Sequence, residues 1–193
     1  MGPRIDPADR EVRPPAATDA PAGLFGRSAA YFLDTTLIGL AEFLVGAMMT
    51  LALGPLAVAN ESGTGLRAVV SDPLRVAVLT TLFLVIDSTY FAGSWIRWGG
   101  TPAQHLLRMA VVPAFAAGRP PAETAYRRWA VLALGPVCVG VLGSSGALPL
   151  QLAATIDVAW AAALLAPALL DPRRRALHDR AAGTLVVRLP GRP

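Results

Sequence analysis

Residues 76–96 read VAVLTTLFLVIDSTYFAGSWI, an apolar stretch with a single aspartate and no arginine. The hydrocarbon core of a bilayer is about 30 Å thick and an α-helix rises about 1.5 Å per residue, so ~20 apolar residues cross it. Arg75 and Arg97 flank the stretch, and Trp95 and Trp98 lie at its far end, where aromatic side chains are enriched at the membrane surface. The stretch therefore predicts a transmembrane helix.

Three further stretches share this apolar character, at 35–59, 129–150 and 152–170. Hydrophobic residues make up 54% of the chain and charged residues 16%, whereas roughly a quarter of an ordinary globular chain is charged. The charged residues are concentrated between the apolar stretches. This pattern predicts an all-α membrane protein, folded as a four-span transmembrane helical bundle. The spans are expected at about 30–59, 74–96, 129–147 and 150–170.

The distribution of arginine predicts the orientation of this bundle. All 17 basic residues are arginines, and fifteen of them lie on the side that carries both chain ends and the 97–128 loop. Only Arg67 and Arg75 lie on the other side. By the positive-inside rule, both termini and the loop are expected in the cytoplasm. Arginines at the ends of apolar spans fit a bilayer with anionic headgroups, and nucleic acid is not expected as a partner.

The segments outside the spans predict two tails and two loops. Residues 1–23 contain five prolines and four acidic residues, and we expect a disordered cytoplasmic tail because such a composition buries little apolar surface. Residues 24–193 are expected to form one transmembrane domain, with 97–128 as its cytoplasmic loop and 171–193 as its cytoplasmic tail. The polar residues 60–72 are expected to form a loop on the opposite side.

Three arginine-containing stretches carry a resemblance to a known family. They read GLFGRSAAYFLD at 23–34, GGTPAQHLLRMAVV at 99–112 and LDPRRRALHDRAAGTLVVR at 170–188. Together they resemble the RDD family of small bacterial membrane proteins, over nearly the whole chain after residue 22. The resemblance implies a multi-pass protein of the bacterial cytoplasmic (inner) membrane. Transport is often suspected for this family, and ion exchange has been proposed for some members.

The family is named for one arginine and two aspartates, which the resemblance assigns to Arg27, Asp34 and Asp179. Arg27 and Asp34 are two helical turns apart, ~10 Å along one face, so each needs another partner. Asp179 is the expected partner of Arg27, because both lie at the cytoplasmic boundary. Such a pair would act either as a cytoplasmic gate or as a structural clasp that holds the C-terminal tail to the bundle.

The middle stretch departs from the family pattern, because Ala103, Gln104 and His105 replace a Gly-Lys-Arg run. The residues that follow, 105–112, are mildly amphipathic and allow two structures. They could lie along the inner membrane surface. Alternatively, 109–112 could pair with 184–187 as a small cytoplasmic β-ribbon.

Four acidic side chains lie within the predicted spans: Asp34, Glu42, Asp87 and Asp157. An unpaired carboxylate in hydrocarbon costs at least ~2.5 kcal/mol on insertion scales, so each must be protonated, hydrogen-bonded, hydrated or paired with a cation. Carboxylates on several helices suit a path for protons or cations. The other interpretation is a set of neutral acids that bond to local hydroxyl groups and backbone carbonyls.

Enzyme signatures are absent from the sequence. It contains no HExxH, GxSxG, P-loop or GxGxxG motif, so no catalytic residue is assigned and no enzymatic activity is expected. Cys138 is the one cysteine, which excludes an internal disulfide. His105 and His178 have no cysteine partner, so neither a metal site nor a cofactor is expected.

Two functions remain open from the sequence. The first is movement of protons, cations or small solutes through Asp34, Glu42, Asp87 and Asp157. Four short spans make a narrow monomer, so a homo-oligomer is considered for this function. The second is a non-transporting membrane scaffold or subunit, which would hold a membrane protein partner through the 97–128 loop and the 171–193 tail.

Overall fold

The computed structural model describes residues 20–55, 57–62, 65–70, 73–144 and 148–189. Within these ranges the chain forms long helices joined by short helices and two-stranded ribbons. In chain order the elements are α1 (Leu24–Leu53), β1 (Ala57–Ser62), β2 (Gly65–Val70), α2 (Pro73–Trp98), α3 (Pro102–Leu106), β3 (Met109–Pro113), α4 (Ala122–Ser144), α5 (Leu150–Leu170), α6 (Leu177–Ala182) and β4 (Thr184–Arg188).

The four long helices, α1, α2, α4 and α5, are long and apolar enough to cross a membrane. The best window of each has a mean hydropathy between 1.2 and 1.9. Their outer faces carry large apolar side chains, such as Phe43 and Leu51, which are 68% and 88% exposed in the isolated chain. Such surfaces are stable when lipid surrounds them. The expected four-span transmembrane bundle is confirmed.

The helix boundaries match the expected spans closely for α5 and less closely for α1 and α4. Helix α5 covers 150–170, as expected. Helix α1 was expected at 30–59 but runs from Leu24 to Leu53, because Gly54 takes a positive φ of 82° and Pro55 follows it. Helix α4 was expected from 129 but begins at Ala122, directly after two prolines that favour a helix start.

The 60–72 segment was expected to be a loop, and this prediction was wrong for most of it. Strands β1 and β2 pair antiparallel, from Ala57 opposite Val70 to Ser62 opposite Gly65. Pairing satisfies backbone groups that would otherwise need water beside the membrane. Strand β2 lies against α4 and α5. We refer to this end of the bundle as the hairpin end.

A second ribbon lies at the opposite end, where the β-ribbon alternative is confirmed. Strand β3 pairs antiparallel with β4, from Met109 opposite Arg188 to Pro113 opposite Thr184. The ribbon end of the bundle comprises residues 20–23, α3, β3, α6 and β4. The 97–128 loop and 171–193 tail are therefore largely folded, because they supply α3, β3, α6, β4 and the first turns of α4.

Residues 20–22 join this ribbon along the other edge of β4. The Ala22 amide donates to the Val186 carbonyl at 2.9 Å, and the Arg188 amide donates to the Ala20 carbonyl at 3.2 Å. The expectation of disorder was therefore wrong for this part of 1–23, because its backbone pairs with a strand. Residues 1–19, to which the same expectation applied, lie outside the described residues.

Helix α4 is the centre of the bundle and contacts α2, α5 and α6. Helix α1 buries side chains only near the ribbon end. Its buried residues are Arg27, Ala30, Asp34 and Ile38, which lie three or four positions apart on one helical face. Beyond Ile38 the helix has no buried residue, although the Arg75 guanidinium of α2 donates to the Leu53 carbonyl at 2.7 Å.

Candidate functional site

Asp179 lies at the centre of a buried ion cluster at the ribbon end. Its carboxylate accepts hydrogen bonds from Arg27 on α1 and from Arg128 on α4, one on each oxygen. The Ala176 amide donates to the same carboxylate at 2.9 Å, across the first turn of α6. The expected ion pair between Arg27 and Asp179 is present, and Arg128 makes it a three-residue cluster. We refer to Arg27, Arg128 and Asp179 as the clasp.

Arg128 was missed as a site residue, since it was counted only among the arginines that set orientation. It is 2% exposed, and its guanidinium donates to the Thr184 hydroxyl at 2.6 Å. The helical spacing of residues in the sequence could have predicted that Arg128 is buried. Ala125 and Leu132 are also buried, and Arg128 lies three residues after one and four before the other, on the same face of α4.

The clasp sets the charge state of its neighbours. Burial alone raises the pKa of Asp179, but the guanidiniums of Arg128 and Arg27 outweigh it and hold the pKa well below its ordinary value. Burial lowers the pKa of the adjacent His178 to about 3, and the positive charge of Arg128 acts in the same direction. Asp179 is therefore an anion at neutral pH and His178 a neutral imidazole.

The turn after α5 is built around Asp171 and brings the tail back to the clasp. Its carboxylate accepts from the Arg173 amide at 2.9 Å and from the Arg175 guanidinium at 2.8 Å. The Arg173 amide is the main cause of the lowered pKa of Asp171, and Arg175 adds to it. Arg27 donates to the Arg174 carbonyl in the same turn. The arginine run thus has a structural role beyond contact with headgroups.

Asp34 occupies a separate niche between three elements. It is 2% exposed, and its carboxylate accepts from the Tyr90 hydroxyl on α2 at 2.6 Å. The Thr101 hydroxyl and the Ala103 amide, which belong to the start of α3, also donate to it. Asp34 therefore ties α1 to α2 and α3. It makes no contact with Arg27, as the spacing of the two residues predicts.

Gln104 shows how α3 is held in place although the Gly-Lys-Arg run of the family is absent. Thr101 and Gln104 form a capping box at the start of α3, in which each side chain bonds to the other residue's backbone amide. The Gln104 side-chain oxygen also accepts from the Trp95 indole at 3.1 Å. A neutral amide at this position fixes α3 against α2.

A cavity of about 370 Å³ lies between α1, α2 and α4, and two of the predicted acids line it. We refer to it as the acidic cavity. Glu42 enters it from α1 and Asp87 from α2. Asp87 accepts a hydrogen bond from the Trp129 indole at 2.7 Å, whereas Glu42 has no hydrogen bond to another described residue. No arginine is among the residues that line the cavity.

Asp157 lies on α5, away from the lining of the acidic cavity. One of its carboxylate oxygens is buried and has no hydrogen-bond partner among the described residues. The four intramembrane acids are thus divided: Glu42 and Asp87 share a cavity, Asp34 is bound by local donors, and Asp157 stands apart.

Neither a group of metal-ligating side chains nor a buried thiol occurs in the described part of the chain. Within it, no group of three or more His, Cys, Asp or Glu side chains could hold a metal ion. Cys138 is exposed on the surface of α4.

Four apolar helices, closed at one end by a buried Arg–Asp–Arg cluster, define a polytopic helical membrane protein. The sequence model of the RDD family matches residues 21–183, and the chain belongs to that family. The match includes Arg27, Asp34 and Asp179 and ends just before β4. No curated protein and no solved structure matches the chain.

Proposed function

We propose that the protein moves protons or small cations across the membrane, with Glu42 and Asp87 as the side chains that bind them. The acidic cavity carries this proposal: two carboxylates from different helices line one space of about 370 Å³, and no basic side chain neutralises them there. An unpaired carboxylate in hydrocarbon costs at least ~2.5 kcal/mol, and this cost at Glu42 supports a role in binding rather than in stability.

The rest of the lining suits a small polar cargo. Thr35, Thr80 and Tyr31 add hydroxyl groups to an otherwise apolar wall. Hydroxyl and carboxylate oxygens bind hydrated protons and hard cations. The side chains of α1 beyond Ile38 are not buried, which supports access to the cavity from the hairpin end.

The proposal is narrower than the four-acid path expected from the sequence. Asp34 already accepts three hydrogen bonds and holds α3 in place, so we assign it a positioning role. Asp157 does not line the acidic cavity, and we assign it no role in binding the cargo.

The test is flux into liposomes that contain the purified chain, under proton and sodium gradients in turn. Glu42→Gln and Asp87→Asn keep the side-chain shape, remove the charge and are expected to abolish flux. Asp157→Asn is the matched control, since it removes an intramembrane carboxylate outside the cavity, and it is expected to retain flux. Wild-type flux equal to that of empty liposomes under both gradients would exclude the proposal.

A scaffold role is the second candidate, and the surface of the ribbon end favours it. The ribbon end, together with the turns and helix ends beside it, carries eight exposed arginines: Arg97, Arg108, Arg119, Arg127, Arg173, Arg174, Arg180 and Arg188. Such a surface suits anionic headgroups or an acidic segment of a membrane protein partner. Crosslinking in native membranes would favour the scaffold if it captured one partner in fixed stoichiometry while flux was absent.

For either function we propose that the ribbon end faces the cytoplasm of a bacterial cell, with the protein in the inner membrane. The arginine distribution supports this orientation through the positive-inside rule. A reporter enzyme that is active only outside the cytoplasm should be inactive when fused after residue 193. It should be active when inserted between β1 and β2. The opposite result would reverse the orientation.

A further inference from the structure

A second, smaller chamber lies between the clasp and the acidic cavity. Its volume is about 70 Å³, and Arg27, Asp34, Arg128 and His178 are among the residues that line it. Within the bundle it lies on the ribbon side of the acidic cavity. It is too small for an organic solute, but a water molecule needs only ~10–15 Å³ by this measure, so the chamber has room for a few waters.

Two buried nitrogens belong to residues that line the small chamber. Arg128 Nε and His178 Nδ1 are both buried and have no hydrogen-bond partner among the described residues. His178 Nε2 lies 3.7 Å from the Asp179 carboxylate, which favours the tautomer that carries its proton on Nε2. Nδ1 is then an acceptor and Arg128 Nε a donor. Water satisfies both, whereas an anion would satisfy only the arginine.

The two spaces share one wall. Tyr31, Phe91 and Leu132 line both the small chamber and the acidic cavity. Phe91 is 4% exposed, and its ring packs against Tyr31 with centroids 6.4 Å apart and against Trp95 with centroids 5.8 Å apart. Leu132 is 8% exposed. The wall is therefore a packed, mostly apolar layer, one residue thick, between two spaces that each contain charged side chains.

We propose that Tyr31, Phe91 and Leu132 form a gate that separates a hydrated chamber under the clasp from the acidic cavity. Apolar constrictions of this kind block passage by excluding water and allow it when a small movement admits water. Tyr31 is the polar member of the wall. This inference rests on the proposed function of the acidic cavity.

The chamber also narrows the cargo to protons. Arg27 and Arg128 offer no ligand to a metal cation, and Asp34, the one carboxylate in the lining, already accepts three hydrogen bonds. A proton can pass as a relay along hydrogen-bonded waters without the waters or any cation moving through. The route from the ribbon end to Glu42 and Asp87 then suits protons alone.

The test measures passive proton leak into liposomes that hold the purified full chain and a trapped pH dye. Leu132→Ala shortens the wall and is expected to raise the leak about tenfold or more, because water enters the gap. Adding Asp87→Asn should return the leak to the wild-type rate. Leu134→Ala, at a position 54% exposed on the same helix, is the matched control and should not change it. A Leu132→Ala leak equal to wild type overturns the gate.

Phe91→Leu is a second variant for the case in which Leu132→Ala does not purify as a folded species, and it carries the same expectation. Sodium uptake, measured in the same liposomes, should not rise in either variant. A rise in sodium uptake equal to the rise in proton leak would overturn the assignment of protons as the cargo.

Failure of the gate and failure of the proposed function give different results. If wild-type flux depends on Glu42 and Asp87 but Leu132→Ala does not change it, the gate is excluded and the proposed function is supported. If the wild-type protein shows no flux but Leu132→Ala produces a proton leak that Asp87→Asn abolishes, the gate is supported and the proposed transport function is excluded.

Discussion

Arg128 lies over the indole ring of Trp95, with its guanidinium carbon 4.8 Å from the ring centroid. The contact places a cation on an aromatic face and leaves the edge of the guanidinium free to bond Asp179 and Thr184. Trp95 belongs to α2, Asp179 to α6 and Thr184 to β4. One side chain of α4 therefore connects three elements at the ribbon end, and its charge is balanced within the fold.

Asp179→Asn tests how much the bundle depends on this balance. The substitution leaves Arg27 and Arg128 buried without an anion, and breaking a buried ion pair costs about 3–5 kcal/mol. We expect a decrease of that size in the free energy of unfolding, measured by titration with SDS in mixed micelles.

The matched control for this prediction is Glu123→Gln, which also removes one carboxylate from an ion pair. Glu123 pairs with Arg127, and their side chains are 82% and 57% exposed. Exposed ion pairs contribute little to the free energy of unfolding. Equal unfolding free energies for the two variants would contradict a structural role for the clasp.

His178 predicts an acid-sensitive fold. In the folded protein burial lowers its pKa to about 3, whereas the unfolded chain has the ordinary value of about 6.5. Above pH ~6.5 His178 is neutral in both the folded and the unfolded state, so its burial does not reduce the free energy of unfolding. Between pH ~6.5 and pH ~3 only the unfolded state binds a proton at His178, so the free energy of unfolding decreases as the pH falls. We expect the melting temperature in detergent to decrease steadily from pH 7 toward pH 4.

His178→Gln should flatten this decline, since glutamine does not titrate. His105→Gln is the matched control, because His105 is exposed, and it should keep the wild-type profile. A profile in which the His178 variant retains the full slope would assign the acid sensitivity to other groups.

Asp34 and Glu42 are both intramembrane acids on α1, but we expect their loss to have different effects. Asp34→Ala leaves the donors of Tyr90, Thr101 and Ala103 unpaired, at about 1–3 kcal/mol for each buried group. Its main effect should be lower thermal stability and lower yield. Glu42→Gln should leave stability nearly unchanged and remove flux. If the Asp34→Ala protein were stable but showed no flux, Asp34 would have to be assigned to the ion path.

Gly135 fixes the distance between α4 and α5. A Cβ atom there would lie 2.3 Å from the Trp160 ring, so Gly135→Ala forces the helices apart. Overpacking of this kind costs about 1–3 kcal/mol. Gly140→Ala on the same helix meets nothing within 4 Å and should not decrease stability. Thermal melting of the two variants decides the point, and equal melting temperatures would contradict close packing at Gly135.

The membrane-spanning helices were the most predictable part of the fold. The apolar run that forms α5 stops at Asp171 on one side and follows Pro149 on the other, so composition alone defines its ends. Composition does not predict the end of a helix correctly where the helix continues beyond the bilayer. The first two turns of α4 are polar enough to be taken for a loop, yet Ala122 already begins the helix and so places Arg128 in the interior.

The candidate site was predictable only in part, because it depends on contacts between distant segments. The boundary position of Arg27 and Asp179 was sufficient to predict that pair. No local pattern indicates that Glu42 and Asp87 share a cavity while Asp157 does not, since helix rotation and tilt decide which acids meet. The hydroxyl of Thr101, by contrast, could have been assigned to a capping box from the TPAQ sequence at 101–104.

The pairing of Arg27 with Asp179 joins residues 152 positions apart, and it sets an order of assembly. All four hydrophobic segments are synthesised before Asp179, the acid that pairs with Arg27. A chain cut after α5 would therefore contain every membrane segment and still lack the counter-ion for two interior cations. The buried cluster of Arg27, Arg128 and Asp179 can therefore form only after the chain has been synthesised past Asp179.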